Sequence, residues 1–316
     1  MKLTNKHGLH AGLYHAIHSW FFEKQNPNPP HFRVTELIRP VQQVVLQRRH
    51  HDEIETDVMD LMNAWRGSAI HEFLSKFDKS NVLQEIDLEL EIGGEKLKGK
   101  PDYYDGDGTL VDFKNCKVWS YINKSNIGEW TDQLNFYAFM LKALGFPVTS
   151  LEIVAMFDDW SPTKARTEAD YPHTRSVVIP ILMYPDAKIK EIILGCIKLL
   201  STNLTVSDLN DDDSILPECS SDEMWEDPTI YAVMKEGRKS AVNARSTDRK
   251  SAEGMVKELG KGHYIQERPG VRKRCESYCS AAPFCQQYQR YLAEKAEEPP
   301  QENEVSDNQP SLGGIA

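Results

Sequence analysis

The stretch "KGKPDYYDGDGTLVDFKN", residues 98–115, reads as a hairpin: apolar and β-branched residues stand on either side of a Gly/Asp turn. It nevertheless carries Pro101-Asp102 on one arm and Asp112-Phe113-Lys114 on the other. Neighbouring strands sit about 4.8 Å apart, so Asp102 and Asp112 converge if register and face agree. Two carboxylates that close repel unless a cation lies between them. Lys114 is two residues past Asp112 and shares its face, whereas Val111 and Phe113 point the other way. The arrangement suits a hard divalent cation held by oxygen ligands, with an ammonium beside it. Its plain alternative is an Asp112–Lys114 salt bridge on an exposed strand.

Working outward, Leu83, Ile86, Leu88, Leu90 and Ile92 alternate as a strand, and Gly93-Gly94 turns it back into 95–104. The hairpin therefore completes a three-strand antiparallel meander. Helical periodicity marks 9–23, 35–50 (with Pro40 limiting its first part), 129–144 and 186–200. A long helix is expected over 54–77, with Val58, Leu61, Met62, Trp65, Ala69 and Phe73 as its stripe. Strands are expected at 151–157 and 176–181. That order implies an α/β fold, a mixed central β-sheet flanked by helices. The expected divisions are a helical region 1–53, a core 54–205, a basic and cysteine-rich helical lobe 206–292, and a disordered acidic tail 293–316.

The 316 residues carry a net charge of −11, which argues against simple coating of nucleic acid. The charge is segregated, however. Residues 208–227 hold nine Asp/Glu and no Lys/Arg, whereas 235–274 hold twelve Lys/Arg against five Asp/Glu. The second stretch is a candidate phosphate-tracking surface, or else a solvated helix face. No eighteen-residue apolar run occurs, so no membrane span is expected. The start of the chain has no apolar signal core, which predicts a cytoplasmic protein. Asp158-Asp159-Trp160, just past a strand end, either line a channel or cap a loop.

Pro101-Asp102 followed by Asp112-Phe113-Lys114 resembles the PD-(D/E)xK nuclease signature. "RGSAIHEFL" (66–74) and "QLNFY" (133–137) resemble, in order and spacing, the helix-borne histidine and the Q-x-x-x-Y of its RecB-type branch. "FRVTELIRP" (32–40) is similar to the start of phage-encoded members. The resemblance implies a restriction-endonuclease-like core. It also implies Mg²⁺ or Mn²⁺ held by His71, Asp102, Asp112 and the Phe113 carbonyl, with Glu85 near the metal. Lys114 would assist the attacking water, and Gln133 and Tyr137 would contact DNA or fix Lys114. Without the hairpin, His71 reads as a hydrogen-bonded core histidine, and Gln133 and Tyr137 as parts of a plain helix stripe.

Cys275, Cys279 and Cys285 fall within eleven positions of a chain with six cysteines. In a cytosolic protein such clustering points to metal before disulfide. Cys219, outside the sheet core, is the candidate fourth ligand. RecB-type nucleases include iron–sulfur members, and the spacing is similar to theirs, which implies a 4Fe–4S cluster. Structural Zn²⁺ and free thiols are the alternatives. Either metal would staple the C-terminal lobe. Cys116 and Cys196 read as buried thiols.

The expected function is that of a metal-dependent deoxyribonuclease, an exonuclease on DNA ends or single strands serving recombination, repair or replication. The rival expectations are a structure-specific endonuclease, or a non-catalytic nucleic-acid-binding or adaptor protein that docks a helicase or recombinase.

Overall fold

The computed structural model describes residues 1–23, 29–76, 82–210, 212–238, 240–243 and 246–297. The chain divides into two compact units, one ending at Pro217 and one beginning at Glu218.

The first unit is built on a five-stranded sheet. Its order is Ser176–Ile181, Ser150–Phe157, Thr109–Cys116, Tyr103–Tyr104, Leu83–Gln84. Thr109–Cys116 and Ser150–Phe157 run parallel, and the other pairs are antiparallel. A parallel pair needs a crossover, and helix Ile127–Ala143 supplies it. Its Trp130, Leu134, Ala138 and Leu141 form a buried stripe. Leu151, Ile153, Ala155 and Phe157 alternate inward on the parallel strand. Each large apolar side chain buried here contributes about 1.5–3 kcal/mol. This is the mixed sheet flanked by helices that the sequence leads one to expect of a restriction-endonuclease-like core.

The expected meander is divided between two sheets. Leu88–Ile92 and Glu95–Gly99 pair through the Gly93-Gly94 turn, but they join Phe32–Arg33 in a separate three-stranded sheet. Pro101 has no N–H to continue a ladder, and Glu85 bends the chain at φ +48°. Leu83–Gln84 and Tyr103–Tyr104 are what remain of those arms in the five-stranded sheet. The expected 54–77 helix is also shorter. Glu55–Asp57 is a strand parallel to Lys2–Thr4, and the helix is Met62–Leu74. Asp57 stops it from starting earlier: its carboxylate accepts from Thr4 Oγ1 at 2.8 Å, the Lys6 amide at 2.6 Å and the Met59 amide at 3.0 Å.

Helix Asp186–Asn210 is long and apolar enough to cross a membrane by length and composition. In this fold Ile189, Ile193, Ile197 and Leu200 are buried, and the helix packs against Val41–Arg49 and Ile127–Ala143. The acidic run begins on it and is anchored. Asp213 lies 3.1 Å from Arg49 Nη1 and 2.9 Å from His50 Nε2, and Glu53 lies 2.7 Å from His50 Nδ1. Burial pulls the His50 pKa down, but Asp213 and Glu53 outweigh it, so the imidazole is raised above its ordinary value. A raised histidine stabilises fully below its unfolded pKa near 6.5, and that stability is lost as pH rises through the folded value. The melting temperature should therefore fall from pH 6 to pH 8, and His50→Gln should flatten that fall.

In the second unit, Ile230–Lys235 and His263–Arg268 form an antiparallel pair packed on helix Arg249–Leu259. The expected helical lobe is thus mixed. "IYAVMK" and "HYIQER" are aromatic and β-branched enough to form strands, a signal masked by the charges around them. The acidic and basic runs meet within this unit. Arg272 lies 3.0 Å from Glu226, and Lys273 pairs with Asp227. Arg272 and Arg274 also stack over Tyr291 and Trp225. Gly270 permits this approach, because a Cβ there would collide with the Asp227 carbonyl oxygen. Much of "RPGVRKR" is therefore structural. The expected tail begins inside helix Gln286–Glu297, and residues 298–316 lie outside the described residues.

Candidate functional site

The register of the three short arms explains why the hairpin carries carboxylates. Gln84 stands opposite Tyr103, and Tyr103 opposite Val111. One step further along both ladders, Glu85, Asp102 and Asp112 stand in a row across three adjacent strands. Like charges directly opposite one another destabilise a sheet, so such a row calls for a cation. Asp102 is held in place by the Phe113 amide, which donates to its Oδ2 at 2.8 Å. Phe113, expected through its carbonyl, is seen here through its N–H. Asp112 is 1% exposed, and neither of its oxygens has a hydrogen bond. Lys114 Nζ lies 2.6 Å from its Oδ2, a close ion contact outside hydrogen-bond geometry. Burial pushes the Asp112 carboxyl up to about 6, against the pull of Lys114 and with the push of Asp102.

His71, from helix Met62–Leu74, enters this row from above. Its Nδ1 is 3.2 Å from Asp102 and 3.3 Å from Glu85. Hydrogen bonding to Asp102 and then to Glu85 raises the imidazole to about 10. His71, Glu85 and Asp102 offer ligand atoms all within 4.8 Å of one another. Of the residues expected from sequence, His71 and Asp102 fall in this group, and Glu85, expected near the metal and set at φ +48°, completes it, while Asp112 stands beside Asp102 in the row. Lys100 Nζ holds the other Glu85 oxygen at 2.9 Å. The donor set of hard oxygens and one imidazole fits a divalent cation such as Mg²⁺ or Mn²⁺. The two buried Asp112 oxygens without hydrogen bonds supply the polar need that such an ion meets.

A second chain of contacts fixes the lysine. Lys114 Nζ donates to Gln133 Oε1 at 2.9 Å. Tyr137 is buried and sits one turn on from Gln133; its hydroxyl interacts with the Gln133 side chain and the Lys100 backbone. Burial raises that phenol well above its ordinary pKa, so it stays protonated. Gly99 lets the strand reach this ring: a Cβ there would meet Tyr137 Cε1 at 2.8 Å and Met140 Sδ at 3.1 Å. Gly99→Ala should cost about 1–3 kcal/mol through overpacking, read as a lower denaturant midpoint. It should also lower activity by shifting Tyr137, Gln133 and Lys114. Sequence reading did not single out Gly99 or Lys100, although Lys98, Lys100 and Asp102 alternate on one strand face.

These side chains line a cleft of about 1010 Å³ that also reaches Trp20, Arg33 and Trp65. Asp158, Asp159 and Trp160 serve loops instead. Asp159 accepts from the Val118 amide, Asp158 pairs with Arg66, and Trp160 donates to the Pro172 carbonyl.

In the second unit the four candidate cysteines come together electrostatically. Burial pushes Cys219 up to about 12, with Glu223 and the sulfurs of Cys285, Cys275 and Cys279 adding to it. Burial raises Cys275 to about 11 and also raises Cys279 and Cys285. Backbone amides oppose the rise: those of Ala281 and Ala282 point at Cys279, and those of Tyr288 and Gln287 at Cys285. Cys285 immediately precedes helix Gln286–Glu297, whose N-terminal amides favour a thiolate. The Gln287 side chain clamps both backbone groups of Cys219, at 2.9 and 2.8 Å. Among the described residues, no three of these thiols lie within 4.8 Å of one another.

No family model matches the chain. No curated protein matches it either. Among solved structures it is similar to SSO0001, with 16% identity and a TM-score of 0.42, over 60% of this chain and 84% of that one. It is also similar to an alkaline exonuclease (LHK-Exo) from Laribacter hongkongensis, with 12% identity and a TM-score of 0.37, over 61% and 97%. LHK-Exo in complex with dAMP overlaps at 13% identity and a TM-score of 0.28, over 56% and 95%. At such scores these likenesses carry no weight beside the site's own geometry.

Proposed function

We propose that the first unit is a metal-dependent deoxyribonuclease of the PD-(D/E)xK type, RecB-like, acting as an exonuclease on DNA ends or single strands. The observation that carries this is the row of Glu85, Asp102 and Asp112 in one cleft with His71 and a lysine fixed by Gln133. Mg²⁺ or Mn²⁺ would be held by His71, Asp102 and Glu85, with Asp112 and the Phe113 carbonyl beside them. Such an ion supplies Lewis-acid polarisation of a phosphodiester and a more acidic bound water. The protein's own part is positional. Asp112 draws Lys114 close, and Gln133 aims the ammonium toward the place where negative charge grows on the phosphoryl oxygens. The protonated Tyr137 holds Gln133 in turn. A helicase or recombinase that feeds DNA to this cleft is the partner class we assign to it.

For the second unit we propose a 4Fe–4S cluster on Cys219, Cys275, Cys279 and Cys285, acting as a staple. Amides aimed at the sulfurs support bound thiolates. A zinc tetrahedron requires sulfurs about 3.8 Å apart, given a Zn–S bond of about 2.3 Å. Structural Zn²⁺ on the same four thiols is the second reading.

The nuclease assignment is tested by offering Mn²⁺ and labelled DNA. Linear single strands should shorten from an end, and a closed single-stranded circle should survive. Cleavage of the circle would make the enzyme an endonuclease, and intact linear DNA would remove the catalytic assignment.

A further inference from the structure

Strand Phe32–Arg33 lies parallel to Glu95–Gly99, with Phe32 opposite Leu97 and Arg33 opposite Lys98. Phe32 and Leu97 are buried, so Arg33 and Lys98 share the other face of the pair, and both line the cleft. Two cations directly opposite each other destabilise a ladder. His31, also in the cleft lining, makes a third basic group. Its imidazole is held below its ordinary pKa by burial and by the charges of Lys98 and Arg33, so all three groups share one patch of potential. The neighbouring carboxylates offset this charge only in part. Glu89 is shared between Lys98 at 3.1 Å and Lys96 at 3.3 Å. Glu36 accepts from Arg48 at 2.9 Å and from the Arg33 amide at 3.0 Å.

The position of this patch relative to the acidic row gives it a meaning. Lys98, Lys100 and Asp102 follow one another as the chain passes, through Pro101, from the three-stranded sheet to the five-stranded one, and all three line the cleft with Arg33 and His31. We infer that Arg33 and Lys98, with His31 beside them, anchor a phosphate of the substrate strand away from the phosphodiester held at the acidic row. This rests on the nucleic-acid reading of the cleft, but it concerns binding and not hydrolysis. The phosphate is either internal or a strand terminus, and the chemistry that holds it is the same.

The test is equilibrium binding of fluorescent single-stranded oligonucleotides in EDTA, so that no cleavage intervenes, across a series of salt concentrations. The double variant Arg33→Gln/Lys98→Gln should bind about tenfold more weakly at low salt, and its log K against log salt slope should be shallower by about 0.7 for each phosphate it no longer neutralises. The charge-preserving swap Arg33→Lys/Lys98→Arg should keep the slope. The Gln variant loses the Lys98–Glu89 ion pair but is relieved of its like-charge pair, so its melting temperature should stay close to that of wild type. If oligonucleotides with and without a terminal phosphate weaken equally, the anchored phosphate is internal; if only the phosphorylated ones weaken, it is terminal. A Gln variant that is folded and keeps both affinity and slope overturns the anchor, whether or not the wild type cuts DNA. A wild type that binds with the expected slope but never cleaves with Mn²⁺ keeps the anchor and removes the nuclease. A wild type that binds no oligonucleotide removes both.

Discussion

Asp112→Asn should lower DNA hydrolysis by about 10²–10³-fold or more, the scale of losing a preorganised electrostatic group, while raising the melting temperature of the metal-free protein. The two effects share one cause. Asp112 is a carboxylate at 1% exposure with neither oxygen hydrogen-bonded. Burying a carboxylate that has one ammonium contact and no hydrogen bond is costly to the fold. An amide of the same shape removes that penalty, but it no longer draws the Lys114 ammonium into place. Lys114→Ala should show a similar loss of rate without the gain in stability, because it leaves Asp112 buried and unpaired. Opposite signs in activity and stability at Asp112 are what a strained functional site predicts. A purely structural salt bridge predicts that both variants lose stability and leave activity untouched. Chemical denaturation and single-turnover kinetics on the two variants distinguish these outcomes.

Cys279→Ser should strip the second unit of the proposed metal and of resistance to proteolysis, while the first unit remains protected. Four thiols raised by burial, three of them also by neighbouring sulfurs, cannot hold negative charge together without a cation. The unit otherwise rests on a two-stranded sheet packed on helix Arg249–Leu259, a small core. Metal binding to such a site is folding free energy. Anaerobically purified wild type should be brown and contain iron, and the variant colourless. Limited proteolysis should then cut the variant after Pro217. An iron-free, zinc-free wild type whose 218–297 region resists protease would exclude the staple. Zinc in place of iron would keep the staple and change the metal.

The chemistry of the first unit was legible because it sits on a strong local signal. Asp102, Asp112 and Lys114 fall on strands flanking a Gly/Asp turn, and period-two alternation fixes which of them share a face. Gln133 and Tyr137 were legible because a polar residue on an apolar helix stripe demands a partner, and Lys114 is that partner. What stayed hidden depends on breaks in regularity. The left-handed backbone of Glu85 is announced by no periodicity, although the resemblance places that residue near the metal. Gly99 matters only because of how closely Tyr137 packs on it. The meander reads as one sheet in sequence because Pro101 and Glu85 interrupt it at single residues. The 54–77 helix reads too long because the carboxylate hydrogen bonds of Asp57 reach residues 4 and 6, far away in sequence. In the second unit the strands are obscured by dense charge, and that charge is paired internally.

Mn²⁺ titration followed by the electron paramagnetic resonance of the free ion tests the acidic row most directly. Wild type should take up the ion saturably, Lys114→Ala should still do so, and Asp102→Ala should lose that uptake. A wild type that leaves the signal of free Mn²⁺ unchanged, or an Asp102→Ala variant that binds as tightly as wild type, would contradict a metal-dependent centre at Asp102.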